Sequence, residues 1–438
     1  MIFHVASLGC ARNTVDSETM AGRLLAAGHE QTSDPAVAGV IIINTCSFIE
    51  PAINESIDTI LELSSYKQHG ACERIIVTGC LPERFREDIA TSLPEVDLFL
   101  GTGAYDRIVE AIAPQRKQPR CIFPDPDALP GINDIQPRAI HRSPMAYLKI
   151  AEGCDRHCTY CIIPKLRGKQ KSRPIETIVA EATKLVQTGV KELVLVAQES
   201  SAYGRDLGLP SGLAQLLAEI AAISPDIWIR VLYGHPDSLD DATIHIMHAT
   251  DNICPYFDIP IQHVSNRMLK RMGRQYRQDD LLRLFDRIRL ISDNACLRTT
   301  VIVGFPGETD ADFDILYTTI EKIQFDHLGV FLYSDSDDLV SHRLTKHVSE
   351  KLAQQRYDAV MSRQRDISTR NNQKYLHQTL PVLIEKNPEA GLYLGRTAFQ
   401  APEVDGMTFV HADKLGLGKF ATATITDTLD YDLTAEVR

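Results

Sequence analysis

The 438-residue sequence contains no run of apolar residues long enough for a membrane-spanning helix, which needs about 18 or more. Its first residues, MIFHVASLGC, carry no positively charged leader, so we expect no signal peptide, no membrane association and a cytoplasmic location. Basic residues are also in short supply, since 46 Lys and Arg face 58 Asp and Glu and the formal net charge is −12. This balance argues against a protein whose whole surface binds nucleic acid.

Tryptophan is scarce, with a single residue, whereas cysteine is abundant, with ten. Disulfides are rare in reducing compartments, so clustered cysteines in such a chain indicate metal ligands or catalytic thiols. Apolar residues make up 44% of the chain and charged residues 24%, which is ordinary for globular proteins. A chain of this length is expected to form roughly two to four domains with cores of normal size.

Short apolar runs rich in β-branched residues recur in residues 1–115: FHVASLG, GVIIINT and RIIVTG. Helix-like segments follow them, for example at 14–27 and 54–65. Continuous apolar runs of this kind are typical of central strands in a parallel sheet, so we predict an open parallel α/β domain at 1–115. Residues 116–142 are rich in proline and show little periodicity, which predicts a linker.

Six further strand candidates lie in residues 143–372: AYLKIAEG, ELVLVAQES, IWIRVLYGHP, PYFDIPIQH, LRTTVIVGFPGE and HLGVFLYSD. Amphipathic stretches separate them, and repeated βα units of this length predict a partial, TIM-like parallel (β/α) barrel. A long polar helix is expected at 348–375. Residues 373–438 are β-rich with Gly and Pro between the runs, which predicts a small antiparallel β-barrel of about five strands.

Three cysteines fall within the stretch AEGCDRHCTYCIIPKLRGK: Cys154, Cys158 and Cys161. A structural zinc site needs four ligands, usually in two pairs, and no fourth Cys or His pair stands at that spacing. The predicted strand AYLKIAEG leads directly into the motif, which places it at the carboxyl end of the barrel, where such barrels build active sites. A cubane iron–sulfur cluster bound by three cysteines would leave one iron open for an exogenous ligand.

The C-x3-C-x2-C spacing, with Tyr160 before the last cysteine, resembles the radical S-adenosylmethionine (SAM) superfamily. The resemblance implies a [4Fe–4S] cluster whose open iron binds the methionine part of SAM. It also implies that an electron from the cluster cleaves the sulfonium to give a 5′-deoxyadenosyl radical. The alternatives are a zinc site or three spare thiols.

Three more cysteines, Cys10, Cys46 and Cys80, lie 36 and 34 residues apart, and each follows one of the first three predicted strands. Because the carboxyl ends of parallel strands meet at one edge of a sheet, the topology would bring these residues together. A second three-cysteine cluster is the stronger hypothesis, and three buried small hydrophobic residues are the alternative. We expect the remaining cysteines to be structural: Cys72, Cys121, Cys254 and Cys296.

Two such cysteine sets and their flanking residues resemble the methylthiotransferase family over the whole chain. SLGCARNTVDSE, INTCSFI and VTGCLPER are similar to its N-terminal motifs, GCDRHCTYCIIPKLRGKQKSR to its radical core and VGFPGET to a later core segment. The resemblance implies a methylthiotransferase domain at 1–115, a radical SAM core at 143–372 and a TRAM domain at 373–438. It also implies two [4Fe–4S] clusters and SAM, one cluster forming the radical and the other holding the sulfur to be inserted.

The family divides into enzymes that modify tRNA adenosine and enzymes that modify an aspartate of a ribosomal protein. AQESSAYG, WIRVLYGHPD, FDIPIQHVS and GRTAFQAPEVDG resemble the second branch, as does His263, where the tRNA branch usually has Ser. Residues 376–438 carry five basic and nine acidic residues, and this net charge of −4 favours a basic protein over RNA as the partner. Thr434 departs from the branch, which often has an aromatic residue there.

The resemblance therefore implies addition of a methylthio group to Cβ of an aspartate in the small-subunit ribosomal protein of the decoding centre, either free or in the assembled subunit. An electron donor such as flavodoxin or ferredoxin is implied as a second partner, and we expect a monomer. The first alternative is a tRNA adenosine methylthiotransferase. The second is a non-catalytic iron–sulfur electron carrier or sensor.

Beyond the cluster cysteines, the resemblance implies four residues that contact the cofactor: Tyr160, Glu199, Ser200 and Gly304. For Gly304 a plain turn is the alternative. His235 and His263 also follow predicted strands, where a core role and a substrate contact are both open. The segment KLRGKQKSR has five basic residues in nine, and is either a solvated loop or a contact for an anionic partner near the cluster.

Overall fold

The computed structural model describes residues 1–113, 119–128, 135–140 and 143–437. Within the predicted linker at 116–142, residues 116–118, 129–134 and 141–142 lie outside the described ranges. The chain divides into two compact units, with the following bounds: Met1–His141, Lys149–His157 and Cys161–Thr177 for the first, and Arg142–Leu148, Cys158–Tyr160 and Ile178–Arg438 for the second. No helix in the described ranges is both long and apolar enough to cross a membrane.

The first unit contains a six-stranded parallel sheet in the order β2-β1-β3-β4-β5-β6. Its strands are β1 (Ile2–Ser7), β2 (Glu30–Gln31), β3 (Val40–Thr45), β4 (Arg74–Gly79), β5 (Leu98–Leu100) and β6 (Cys121–Ile122). Its helices are α1 (Ala11–Ala26), α2 (Glu50–Ser64), α3 (Tyr66–His69), α4 (Cys80–Phe85), α5 (Glu87–Ser92) and α6 (Ile108–Ala111). The predicted open parallel α/β fold is confirmed.

Both faces of this sheet are buried, which explains why its central strands are continuous apolar runs. Successive side chains of a strand point to opposite faces. Ile42 of β3 accordingly packs in one core with Phe3, whereas Ile41 and Ile43 pack in the other core with Phe99. The two apolar layers fix the register of β3, and so fix where the residues after it emerge from the sheet.

Six strands form the parallel arc of the central fold: β7 (Met145–Lys149), β10 (Glu192–Val196), β11 (Trp228–Val231), β12 (Tyr256–Asp258), β13 (Cys296–Val303) and β14 (His327–Leu332). They pair as two three-stranded sheets, β11-β10-β7 and β12-β13-β14. A parallel bridge joins Ile229 of β11 to Ile253, which lies shortly before β12, and so links the two sheets. Each strand thus neighbours the next one in sequence, and the predicted partial (β/α) barrel is confirmed.

A short antiparallel pair in the first unit, β8 (Ala151–Glu152) and β9 (Lys171–Ser172), encloses the segment with the three-cysteine motif. The remaining helices are α7 (Ile163–Arg167), α8 (Ile175–Gln187), α9 (Gly212–Ala221), α10 (Asp241–Ala249), α11 (Asn266–Arg271), α12 (Gln278–Ile291), α13 (Asp310–Ile323) and α14 (Glu350–Asn372). The long helix predicted at 348–375 is therefore present as α14.

The C-terminal residues form a closed five-stranded barrel in the order β15-β16-β17-β19-β18. Its strands are β15 (Thr379–Glu389), β16 (Leu392–Arg396), β17 (Thr408–His411), β18 (Phe420–Thr428) and β19 (Leu433–Glu436). The small barrel is confirmed, with one difference. β17 and β19 pair in parallel, while the other pairs are antiparallel.

Candidate functional site

Cys10, Cys46 and Cys80 lie at one edge of the first unit's sheet, the one formed by the carboxyl ends of its parallel strands. They follow β1, β3 and β4, which are adjacent strands, so the order of the sheet brings together residues that are far apart in sequence. Gly9 allows the loop after β1 to approach Cys46 closely. It has φ +91°, and a Cβ built on it would lie 3.1 Å from Cys46 Sγ. Cys10 and Cys46 are half-buried, and Cys80 is buried.

Neighbouring thiols affect the ionisation of Cys46 and Cys80. Burial, followed by the neighbouring Cys80 and Cys10 thiols, raises the pKa of Cys46 to about 11. Burial also raises the pKa of Cys80, against the opposing charge of Arg167. For Cys10, burial alone would raise the pKa, but the charge of Arg12 and the backbone amide of Asn13 lower it overall. The adjacent positions of β1, β3 and β4 and the close approach of Gly9 to Cys46 bring these three predicted ligands together.

Nowhere in the described part of the chain do three His, Cys, Asp or Glu side chains surround a point where a single metal ion could bind. A cubane cluster requires a wider set, because each cysteine binds a different iron. Three thiols at one sheet edge, partly buried and surrounded by backbone amides and cations, have the donor chemistry of an iron–sulfur site.

Asn13 ties together the loops that carry these cysteines. It is fully buried in the first turn of α1, and its Nδ2 donates to the carbonyl of Leu8 at 3.0 Å and to that of Thr45 at 2.9 Å. Thr45 in turn donates from Oγ1 to the carbonyl of Thr78 at 2.6 Å. The residues preceding each cysteine are therefore connected through hydrogen bonds. Nothing in the sequence pattern singled out Asn13.

Arg167, the last residue of α7, reaches the same edge of the sheet. Its Nη2 donates to Asn13 Oδ1 at 2.7 Å and lies 3.6 Å from Cys80 Sγ. Its Nη1 lies 2.9 Å from a carboxylate oxygen of Asp16, on the first turns of α1. Buried Lys149 and half-buried Glu152 complete a group of four charges, with Lys149 Nζ 2.7 Å from Glu152.

The basic segment KLRGKQKSR is accordingly divided between two environments. Lys165 and Lys169 are exposed, as a solvated loop would require, whereas Arg167 and Arg173 are buried. Arg173 donates to the carbonyl of Lys149 at 2.7 Å. Neither hypothesis from the sequence anticipated that the anionic partner of Arg167 is the chain itself.

Cys154, Cys158 and Cys161 lie in the loop between β8 and α7, and all three are half-buried. The ends of the loop are fixed in the first unit, where the Cys154 amide donates to the Gly168 carbonyl at 3.0 Å. In the second unit the Thr159 amide donates to the Met272 carbonyl at 3.0 Å. Backbone hydrogen bonds therefore hold the motif at Cys154 and at Thr159.

Tyr160 presents its ring edge to Phe305, with 6.3 Å between the ring centroids. Its hydroxyl accepts hydrogen bonds from Nη2 and Nε of Arg274, at 2.7 and 3.1 Å. Burial alone would lower the pKa of Arg274, but Tyr160, Tyr276 and Cys158 raise it well above the usual value. Arg274 thus holds the aromatic ring of the motif and adds positive charge near one cysteine.

Gly304 follows β13 and has φ +76°, where a Cβ would lie 2.5 Å from that of Ala353. Its amide donates to the carboxylate of Glu308, which is fully buried as a side chain and lies 3.0 Å from Arg356 Nη1. His263 Nε2 lies 3.3 Å from the same carboxylate. The turn after β13 is therefore a fixed structure, and Glu308 is its anchor.

Glu199 and Ser200 lie just beyond the carboxyl end of β10. Both are buried, and the carboxylate of Glu199 accepts a hydrogen bond from Ser238 Oγ. Ser200 Oγ has no hydrogen-bond partner among the described residues. A buried carboxylate beside a free hydroxyl can bind a cationic ammonium group.

His235 and His263 make contacts that suit core residues. His235 packs edge-on against Tyr276, with 5.7 Å between the ring centroids. His263 is fully buried, and its Nδ1 accepts hydrogen bonds from the amides of Val264 at 2.8 Å and Ser265 at 3.0 Å. With Nδ1 accepting, the ring proton lies on Nε2 and donates to Glu308. The structure favours the core role for His263.

Three family models match separate parts of the chain. Residues 2–101 match Uncharacterized protein family UPF0004, residues 148–320 match the Radical SAM superfamily and residues 378–437 match the TRAM domain. The fold is shared with TsrM, a radical S-adenosylmethionine methyltransferase from Kitasatospora setae. That likeness has a TM-score of 0.56 at 14% identity, over 76% of this chain and 74% of that one.

Sequence relatives carry a more specific name. The chain is 53% identical over 441 residues to the ribosomal protein uS12 methylthiotransferase RimO of Desulfosudis oleivorans, covering 100% of both chains. It is 45% identical over 433 residues to the protein of the same name from Clostridioides difficile, covering 98% of this chain and 97% of the relative. These full-length identities confirm the resemblance inferred from the cysteine motifs, and the chain belongs to the ribosomal protein uS12 methylthiotransferase RimO family of radical SAM transferases.

Proposed function

We propose that the chain transfers a methylthio group to Cβ of an aspartate in ribosomal protein uS12, using two iron–sulfur clusters. The names of its full-length relatives support the substrate. The observation that carries the two-cluster proposal is the position of Cys10, Cys46 and Cys80 at one sheet edge, as a set separate from the Cys154–Cys161 loop.

Membership of the radical SAM superfamily implies a [4Fe–4S] cluster and SAM. The residues present fit both groups. Three half-buried thiols lie in one loop, and a buried carboxylate and hydroxyl lie beyond β10. When bound, the cluster and SAM supply the 5′-deoxyadenosyl radical, which opens a C–H bond that acids and bases cannot open at neutral pH.

We assign the cluster of the radical step to Cys154, Cys158 and Cys161. Glu199 and Ser200 are assigned to the amino group of SAM, and Tyr160 and Gly304 to its adenosine. These residues position and enclose the cofactor. Arg274 holds the Tyr160 ring, and the anchored turn at Gly304 fixes the backbone that the adenosine would contact. The burial of Glu199 and Ser200 would help to exclude water from the bound cofactor.

The second cluster is assigned to Cys10, Cys46 and Cys80, where it would hold the sulfur that receives a methyl group from a second SAM. Hydrogen bonds through Asn13 and Thr45 connect the three loops, so the ligands are positioned before the cluster binds. This preorganisation lowers the entropic cost of assembling the site.

The partners follow from the same proposal. The C-terminal barrel, with net charge −4 over residues 376–438, suits a basic ribosomal protein, either free or in the assembled subunit. We further propose flavodoxin or ferredoxin as the electron donor and a cytoplasmic location, where ribosomes are made. The edge strands β2 and β6 have two residues each and offer little for pairing with another copy, which supports a monomer.

The test uses anaerobically reconstituted protein with SAM and three substrates: free uS12, small ribosomal subunits and tRNA. We expect a mass increase on the uS12 aspartate and none on tRNA. Cys158→Ala should abolish 5′-deoxyadenosine formation, whereas Cys46→Ala should keep it and lose methylthio transfer. Cys72→Ala, a buried cysteine of the same unit as Cys46, is the control and should keep both activities.

The outcomes separate the parts of the proposal. Modification of tRNA alone would refute the substrate and support the tRNA branch. Formation of methylthio product by Cys46→Ala would refute the second cluster. Clusters without SAM cleavage under strong reduction would point to an electron carrier.

A further inference from the structure

Arg167 is a buried cation in contact with a predicted cluster ligand. Arg167 is 5% exposed. It lies six residues after Cys161, in the segment that directly follows the radical motif. Its Nη2 is 3.6 Å from Cys80 Sγ and 2.7 Å from Asn13 Oδ1. One guanidinium therefore contacts a thiol and the residue that ties the cysteine loops together.

The geometry requires arginine rather than a generic positive charge. The planar fork offers several donors in fixed directions. Here one end binds Asp16 at 2.9 Å, and the other is shared between Asn13 and Cys80. A lysine ammonium could keep the charge but could not reach all three partners at once. The contacts with Asp16 and Asn13 thus fix the position of the guanidinium beside Cys80 Sγ.

We propose that Arg167 is a positioning residue for the second cluster, fixing Cys80 Sγ and favouring the reduced state of the cluster through its charge. The inference rests on the proposed cluster at Cys10, Cys46 and Cys80. Hydrogen bonds and charges beside the sulfurs set the potential of an iron–sulfur cluster. Loss of an outer partner typically weakens metal binding or activity roughly 10–100-fold.

The test isolates the second cluster in the full-length chain. Replacing Cys154, Cys158 and Cys161 together by Ala removes the first site, and reconstitution with iron and sulfide then fills only the second. Iron content and a redox titration followed by electron paramagnetic resonance are measured. Arg167→Gln in this background should move the midpoint potential to more negative values. Arg167→Lys keeps the charge, so its potential should lie between that of Arg167→Gln and that of the parent.

Two further variants keep the test decisive. Asp16→Asn removes a negative charge beside the guanidinium and should move the potential to more positive values, opposite to Arg167→Gln. Arg120→Gln is the matched control. Arg120 belongs to the same unit and donates to the carbonyls of Ala90, Leu93 and Val96 at 2.6 to 3.0 Å. Its loss removes hydrogen bonds and one charge, but none of these hydrogen bonds involves Cys10, Cys46 or Cys80. It should leave the potential unchanged.

In the otherwise unchanged enzyme, Arg167→Gln should slow methylthio transfer roughly 10–100-fold and keep 5′-deoxyadenosine formation within about twofold. An unchanged potential in Arg167→Gln, or an equal shift in Arg120→Gln, would overturn the role of Arg167 alone. If Arg167→Gln binds no iron, the sign of the Asp16→Asn shift decides: a positive shift supports the role, and its absence overturns it. A parent variant that binds no cluster would instead overturn the second cluster itself.

Discussion

Replacing Glu192 by Gln tests how the C-terminal barrel is attached to the radical SAM core. Glu192 opens β10, and its side chain is fully buried between two guanidiniums. Arg230 of β11 lies 2.7 Å from one carboxylate oxygen, and Arg396 of β16 binds the other. The substitution keeps the shape of the side chain but removes the charge that compensates both arginines.

The magnitude follows from what each arginine keeps. Loss of one partner of a buried ion pair costs about 3–5 kcal/mol. Arg396 still binds Glu385 at 2.6 Å, and Arg230 still donates to the carbonyl of Ala398 at 2.8 Å. We therefore expect the lower end, a loss of about 3 kcal/mol in the free energy of unfolding of the second unit. With a urea m-value of about 3 kcal/mol per molar, the midpoint should fall by about 1 M.

The single tryptophan makes this measurement local. Trp228 lies in β11, and its ring centroid is 4.6 Å from that of Phe420 in β18, so its fluorescence reports separation of the barrel from the core. Glu385→Gln is the control, because Glu385 is more exposed and should cost about 1 kcal/mol or less. Equal shifts in the two variants, or an unchanged fluorescence transition in Glu192→Gln, would refute the reasoning.

The same pairs should make the attachment sensitive to acid. Burial alone would raise the pKa of Glu192, but Arg230 and Arg396 lower it overall. A carboxyl group with a depressed folded pKa stabilises the folded state above its unfolded pKa of roughly 4.3, and this stabilisation is lost as the pH falls through the folded value. We expect the wild-type fluorescence transition to weaken below about pH 4 and that of Glu192→Gln to depend less on pH.

Two further substitutions test the sites themselves. Gly9→Ala should lower the iron content after reconstitution, because its Cβ would lie 2.6 Å from that of Cys46. Gly28→Ala, with a similar φ of +84° but open space around it, is the control and should keep full iron. Equal iron in both variants would contradict the crowding argument. Tyr160→Phe should lower the free energy of unfolding by about 1–3 kcal/mol in urea titrations, because Arg274 loses its phenolic acceptor, and an unchanged stability would show that this hydrogen bond contributes nothing.

Much of the fold could be predicted because burial and periodicity agree along the chain. The run at Val40–Thr45 is buried at every position, as a central parallel strand requires. Local exceptions have physical causes. Within PYFDIPIQH only Tyr256–Asp258 is strand, and Pro260 interrupts the run because it has no amide to donate. Helix α1 begins at Ala11, earlier than predicted, because Cys10 takes the N-cap position where Ser, Thr, Asp or Asn would be expected.

The candidate site was predictable where it depends on topology and hidden where it depends on side-chain direction. Cysteines at the ends of three parallel strands converge by the geometry of the sheet, which the sequence pattern reveals. Asn13 and Arg167 are 154 residues apart, and nothing in their local sequences indicates that they form a hydrogen bond. Glu308 lies inside the recognised segment VGFPGET, but only the folded chain shows its carboxylate binding the Gly304 amide.

The charges around Arg167 explain how stability and redox tuning can be separated. Asp16, Lys149, Glu152 and Arg167 carry two charges of each sign, so the group is neutral as a whole and its burial leaves no unpaired ion. Removal of either Asp16 or Arg167 unbalances the group, and both losses should destabilise the fold. The two losses have opposite signs of charge beside Cys80, however, so the cluster potential should move in opposite directions. A purely structural role would lower stability in both variants without producing that difference in sign.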